Sequence, residues 1–129
     1  MNNQINRIVI LLLAVVFVLT LGGCSKSIDI QLASKAQVFL SSNPEQPITI
    51  TKNDEIYLIL KDWLNENKEG WYATSGRYPD GVYIKSGVHG IQVTEQKVII
   101  YSITNNEPKA IYIQQIEKGE LSQIVNFAQ

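Results

Sequence analysis

Twelve consecutive apolar residues, Ile8 to Leu19, stand behind a short polar start whose only charged side chain is Arg7. A run of that character does not belong to a water-facing domain, so the 129-residue sequence divides into two objects. As a helix, the 14 residues from Ile8 to Leu21 would extend about 21 Å, short of the roughly 30 Å hydrocarbon core of a bilayer. The run therefore reads as the apolar region of an export signal, not as a permanent span. From Cys24 onward 106 residues remain, with 10 basic and 12 acidic side chains. A chain of that size forms one domain and buries roughly two thirds of its unfolded surface. Its near-balanced charge excludes a basic nucleic-acid binder. Cys24 is the only cysteine and His89 the only histidine, which excludes an internal disulfide, a multi-cysteine zinc centre and a poly-histidine metal site.

The apolar run closes on Leu21-Gly22-Gly23-Cys24. This tetrad resembles the lipobox of bacterial lipoproteins. The resemblance implies that the Cys24 thiol takes a diacylglyceryl group, that cleavage falls between Gly23 and Cys24, and that the new amino group is open to acylation. Residues 1–23 are then a signal peptide and 24–27 a lipidated tether. The membrane becomes a partner through the lipid on Cys24, and the domain lies outside the cytoplasm, at a bacterial cell membrane or outer membrane. Ser25, standing where an Asp resembles an inner-membrane retention signal, favours the outer membrane in a cell that has two. Each buried methylene contributes about 0.8 kcal/mol and one acyl chain holds only marginally, so two or three chains would make a stable anchor. With its cysteine consumed, the domain must stand on its hydrophobic core.

Along the mature chain, Ile28 to Leu32 alternates strictly and reads as a strand, as does Val38-Phe39-Leu40. A polar turn with Pro44 and Pro47 leads to a short strand at Ile48 to Thr51. Thr51 and Asp54 resemble a capping box, and Ile56, Ile59, Leu60, Trp63 and Leu64 recur at helical spacing, predicting a helix of about 14 residues that Gly70 helps to end. From Trp71 the period becomes two. Strands are expected around Val82 to Ile84, Ile91 to Thr94, Val98 to Ile103 and Ala110 to Ile116, with turns at Gly87 to Gly90, Glu95 to Lys97 and Asn105 to Pro108. Leu121, Ile124, Val125 and Ala128 fit a short C-terminal helix. The expected class is α+β: an antiparallel β-meander over residues 28–129 packed with one main amphipathic helix and a short C-terminal one.

His89 falls in the expected hairpin turn between Val88 and Gly90, and no Gly-x-Ser-x-Gly elbow accompanies it. No phosphate loop, metal motif or cofactor fingerprint occurs, so the chain reads as a non-enzyme without cofactor or metal. The segment Trp71 to Gly81 carries more information. Trp71, Arg77 and Tyr78 are of the types that dominate binding hot spots, and Pro79-Asp80-Gly81 gives the segment a defined turn. The competing role for Trp71 and Tyr72 is to cover the end of the Trp63 helix.

Ser75-Gly76-Arg77-Tyr78, followed by Lys85-Ser86-Gly87, resembles the Ser-Gly-x-x-Tyr motif and later Lys-Gly pair of the membrane-bound inhibitors of c-type lysozyme, which are also lipoproteins. The resemblance implies that Ser75 and Lys85 insert into an enzyme cleft against its acidic residues, with Gly76, Tyr78 and Gly87 shaping the loops. This sequence has one residue fewer between Gly76 and Tyr78, a Ser between Lys85 and Gly87, and none of the family's cysteines. The expected function is a lipid-anchored envelope protein that binds a protein or envelope component. The alternatives are an inhibitor of lysozyme-like wall hydrolases and an immunity protein against an exported toxin.

Overall fold

Period-two segments of the chain assemble into one antiparallel sheet. The computed structural model describes residues 25–127. The first four strands are β1 (Ser25–Lys26), β2 (Lys35–Phe39), β3 (Ile48–Thr51) and β4 (Trp71–Ala73). The rest are β5 (Val82–Ser86), β6 (His89–Val93), β7 (Lys97–Thr104) and β8 (Glu107–Gln115). Their order across the sheet is β1-β4-β8-β7-β6-β5-β2-β3. The run β5 to β8 is the expected meander. Two helices, α1 (Glu55–Glu66) and α2 (Ser122–Phe127), complete the described chain, which is mostly sheet. Among the described residues no helix is long and apolar enough to cross a membrane.

Strand directions give the sheet two ends. At the first end lie the β3–α1 turn, the β5–β6 turn and the β7–β8 turn, while the short β1 and β4 stop level with Ile113 and Tyr112 in the middle of β8. At the opposite end lie the β2–β3, α1–β4 and β6–β7 turns and the exit of β8.

The sheet's two faces differ in what covers them. On one, Val38, Ile84, Ile91, Val93, Val98 and Ile100, each 0% exposed, pack against Leu60 of α1 and Ile124 of α2. Trp63 meets Trp71 edge to face at 5.8 Å, an arrangement that adds to the area both rings bury. Trp63 Nε1 donates to Glu120 and Trp71 Nε1 to the Asn67 carbonyl, so neither indole N–H is buried without a partner. The buried stripe of α1 holds Ile56, Leu60, Trp63 and Leu64 as expected, with Ile59 only partly buried and Tyr57 added. Tyr57 reaches the core because its hydroxyl finds the Ala33 carbonyl at 2.8 Å.

Several sequence expectations need correction. Ile28 to Leu32 forms no strand; Ile28, Ile30 and Leu32 pack against the core from an extended segment, so their alternation marks a buried side without a ladder partner. Within the expected tether, Ser25 pairs with Tyr72 and Lys26 with Trp71. Thr51 does not cap α1. Asp54 is the N-cap, and its carboxylate reaches back to the Thr51 N–H at 2.6 Å, closing a turn ahead of a 12-residue helix. His89 and Gly90 belong to β6, leaving Gly87 and Val88 as the turn. The β7–β8 turn is Asn105-Asn106, both with positive φ, as two-residue hairpin turns demand. Pro108 therefore sits within β8, opposite Ile103, where β4 supplies no second neighbour because it pairs only with Tyr112 and Ile113. Ala128, Gly23 and Cys24 lie outside the described residues.

Candidate functional site

β4 ends level with Ile100 and β5 starts level with Val98, with β8, β7 and β6 between them, so residues 74–81 must pass across those three strands. They do so across the face away from the helices, as a strap. Alternation in the strands beneath sends Tyr83, Gln92, Ile99 and Tyr101 to that face, where Ile99, Tyr101 and Ala110 form a second small core with Tyr78, Tyr83 and Ile113 packed on it.

Gln92 fastens the strap. It is 7% exposed, and its Nε2 donates to the carbonyls of Tyr78 at 2.9 Å and Asp80 at 2.6 Å, while its Oε1 accepts from the Tyr101 hydroxyl. Every polar atom of the amide is thus engaged, as burial of such a group requires. A further bond joins Thr74 Oγ1 and the Tyr78 hydroxyl within the strap, and Lys97 Nζ stands 5.7 Å from the centre of the Tyr78 ring. Gly81, with φ +81°, turns the strap into β5 at a point where a Cβ would come 2.2 Å from the Val93 carbonyl oxygen.

An aromatic ladder continues across the face. Phe39 and Tyr83 stand 5.8 Å apart, and Tyr83 meets Tyr101 edge to face at 5.7 Å. Gly90 makes room for it, since a Cβ there would fall 2.1 Å from the Tyr83 hydroxyl. Burial pushes both phenols above their ordinary pKa, with repulsion from Tyr101 adding to the effect on Tyr83. Both are therefore neutral at physiological pH, able to stack and to share hydrogen bonds. Between strap and ladder lies an open groove of about 490 Å³, floored by Gln92 and lined by Arg77, Tyr78, Tyr83, Tyr101, Glu107 and Pro108. It offers flat aromatic faces with one cation and one carboxylate at its rim. No group of three or more potential metal ligands occurs among the described residues.

Of the residues singled out from sequence, Arg77 and Tyr78 meet in this groove. Trp71 does not: at 1% exposed it is a core residue, and the role of covering the α1 end is the one it takes. Ser75 is exposed on the strap, and Lys85 lies half-buried on β5, facing away from the helices like Tyr83; neither lines the groove. Tyr83, Gln92 and Tyr101 escaped sequence reading. Their signal was the outward half of each strand's alternation, which becomes a site only once the register sets Tyr83 opposite Gln92. The chain matches no protein-family model, no curated protein and no solved structure.

Proposed function

We propose that this is a lipid-anchored α+β protein of the bacterial cell envelope that acts by binding, without catalysis, a protein or envelope component in the groove between strap and sheet. The observation that carries the reading is the groove itself. A buried glutamine holds a strap so that Arg77, Tyr78, Tyr83 and Tyr101 present a continuous aromatic and cationic surface, the residue types that concentrate binding energy. Anchoring rests on Cys24 and the apolar run ahead of it.

Two measurements test the proposal. Cys24→Ala removes the only thiol able to form the thioether, so the variant should lose its acyl mass and its cleavage; a variant still carrying lipid would refute the anchor. For binding, immobilised wild type and Arg77→Glu are compared on envelope extract. The expected ligand is held by the wild type and released by the variant, and a ligand retained equally by both does not use the groove. Inhibition of a lysozyme-like hydrolase remains a second reading, supported by the outward position of Lys85 and the exposure of Ser75.

A further inference from the structure

The strap ends where β5 begins, so on the side away from the helices β5, β2 and β3 carry no strap above them. Alternation turns Tyr83 and Lys85 of β5, Lys35, Gln37 and Phe39 of β2, and Thr49 of β3 to this open face. Lys35, Gln37 and Thr49 are exposed there, while Phe39, Tyr83 and Lys85 are half-buried. Two bands result. One is the aromatic ladder of Phe39, Tyr83 and Tyr101. The other is polar: the register sets Gln37 between Lys85 and Thr49, with Lys35 beyond them. Tyr83 belongs to both the ladder and the groove, so the face continues the groove.

The charge of the sheet is one-sided. Lys26, Lys35, Lys85, Lys97 and Lys109 lie in strands, whereas Glu107 is the one acidic residue in a strand among the described residues. Among those residues the one ion pair joins Lys68 to Asp29, which leaves Lys35, Lys85 and the strap's Arg77 without a carboxylate partner. Uncompensated cations gathered on one surface raise the potential there and draw anions to it.

The geometry also bears on the kind of anion. A sugar ring packs its C–H side on an aromatic ring and directs hydroxyl and carboxylate groups to its edge, where this face offers ammonium, amide and hydroxyl groups. Single-stranded nucleic acid also uses basic, aromatic surfaces, but its bases stack on successive open ring faces. Here neighbouring rings stand at 54° and 75° to one another. An extended acidic peptide would take main-chain bonds from a free sheet edge, and the edges beside the face and the groove are blunted. On β3, the Thr51 N–H donates to the Asp54 carboxylate and the Thr51 carbonyl accepts from the Asp54 N–H, while Pro47 ahead of the strand has no N–H to offer. On β8, the residue opposite Ile103 is Pro108; Ile103 donates to Val88 on the β6 side, so Pro108 turns outward, again without an N–H.

We propose that this open face, continuous with the groove through Tyr83, binds an acidic polysaccharide, its sugar rings along Phe39 and Tyr83 and its carboxylates at Lys85, Lys35 and Arg77. The proposal rests on the groove as a binding site and names the class of envelope component that it takes.

The test is isothermal titration calorimetry on the full chain, purified in detergent, with short alginate chains, dextran of matched length, poly-L-glutamate and oligothymidylate as probes. Alginate should bind, more weakly as salt is raised, and dextran should not. Lys35→Glu/Lys85→Glu should weaken alginate binding at least about tenfold, and Phe39→Ala at least about threefold. Where the double variant does not fold, Lys35→Glu alone, at an exposed position, must still weaken binding. Lys61→Glu/Lys109→Glu makes the same change of charge at exposed positions on α1 and on the helix side of β8, and should bind as wild type. Poly-L-glutamate or oligothymidylate bound as tightly as alginate overturns the polysaccharide assignment, as does alginate binding that the Lys35 and Lys85 changes leave intact. A chain that holds an envelope ligand through Arg77 but ignores alginate also overturns it and leaves the groove reading standing; a chain that does neither overturns both.

Discussion

Gln92 is where one substitution should separate the strap from the sheet. Gln92→Leu keeps side-chain bulk and removes every hydrogen bond that the amide makes to Tyr78, Asp80 and Tyr101. The Tyr101 hydroxyl, buried under the strap, takes the full penalty of an unsatisfied group, about 1–3 kcal/mol, while the two strap carbonyls can lift towards water and forfeit about 1 kcal/mol each. The expected loss is about 3 kcal/mol, a fall in the melting midpoint of roughly 10–20 °C for a domain of this size. Adding Tyr101→Phe should return part of it, because an apolar pair strands nothing. Gln92→Glu gives a sharper test through its pH dependence. A carboxylate there would face two carbonyl oxygens in a buried site, so its folded pKa should rise above the unfolded value of about 4.3. The protonated form then retains stability below that pH, and the deficit relative to wild type grows as pH rises. A Gln92→Leu midpoint within about 2 °C of wild type would refute the reasoning. So would a Gln92→Glu deficit of equal size at about pH 4 and pH 7.

Trp63→Ala should cost about 3–5 kcal/mol by thermal or denaturant unfolding, since it opens a cavity against Trp71 and removes the hydrogen bond to Glu120; a near-wild-type midpoint would mean that α1 packs otherwise. Tyr83 and Tyr101 have phenols raised in the folded state, so the stability they contribute is complete below the unfolded value of about 10 and is lost as pH rises beyond it. Tyr83→Phe should make the alkaline decline shallower in melts above that pH. If Ser75 and Lys85 act as the lysozyme-inhibitor resemblance implies, Lys85→Ala should weaken inhibition of a c-type lysozyme by at least about 30-fold with the fold intact. A wild-type chain that leaves the enzyme untouched at high micromolar concentration would remove that reading.

The core was legible because burial imprints a period on the residues that undergo it. Ile56, Leu60, Trp63 and Leu64 announce the helix, and Val98 to Ile103, apolar on both faces, announces a central strand that proves to have a core on each side. The same logic explains the error at Ile28 to Leu32. Alternation reports which side of an extended segment is covered and is silent on whether its backbone has a ladder partner, and that segment is covered without one. Tyr57 was missed for a related reason: a tyrosine beside the aliphatic stripe counts as core only if its hydroxyl has somewhere to go, and the Ala33 carbonyl, 24 residues away in sequence, is not visible from the helix.

The groove was illegible because it depends on pairings between distant segments. Arg77 and Tyr78 drew notice as residue types, yet what makes them neighbours of Tyr83 and Tyr101 is the crossing of the strap, and that crossing follows from strand order. β4 pairs with β8 and not with β5, so the eight residues between Ala73 and Val82 cannot form a local turn. They must span the sheet, and polar groups carried over an apolar face need partners there. Gln92 is the partner, placed on the outward side of β6 directly opposite Tyr83. The same three-residue β4 also pairs with β1, so the point at which Cys24 joins the fold and the point at which the strap begins share one strand. Trp71 pins that strand in the core, while Tyr72 and Ala73 beside it are exposed. The start of β1 and the start of the strap are thus fixed relative to each other by a core tryptophan whose own burial keeps it out of the groove.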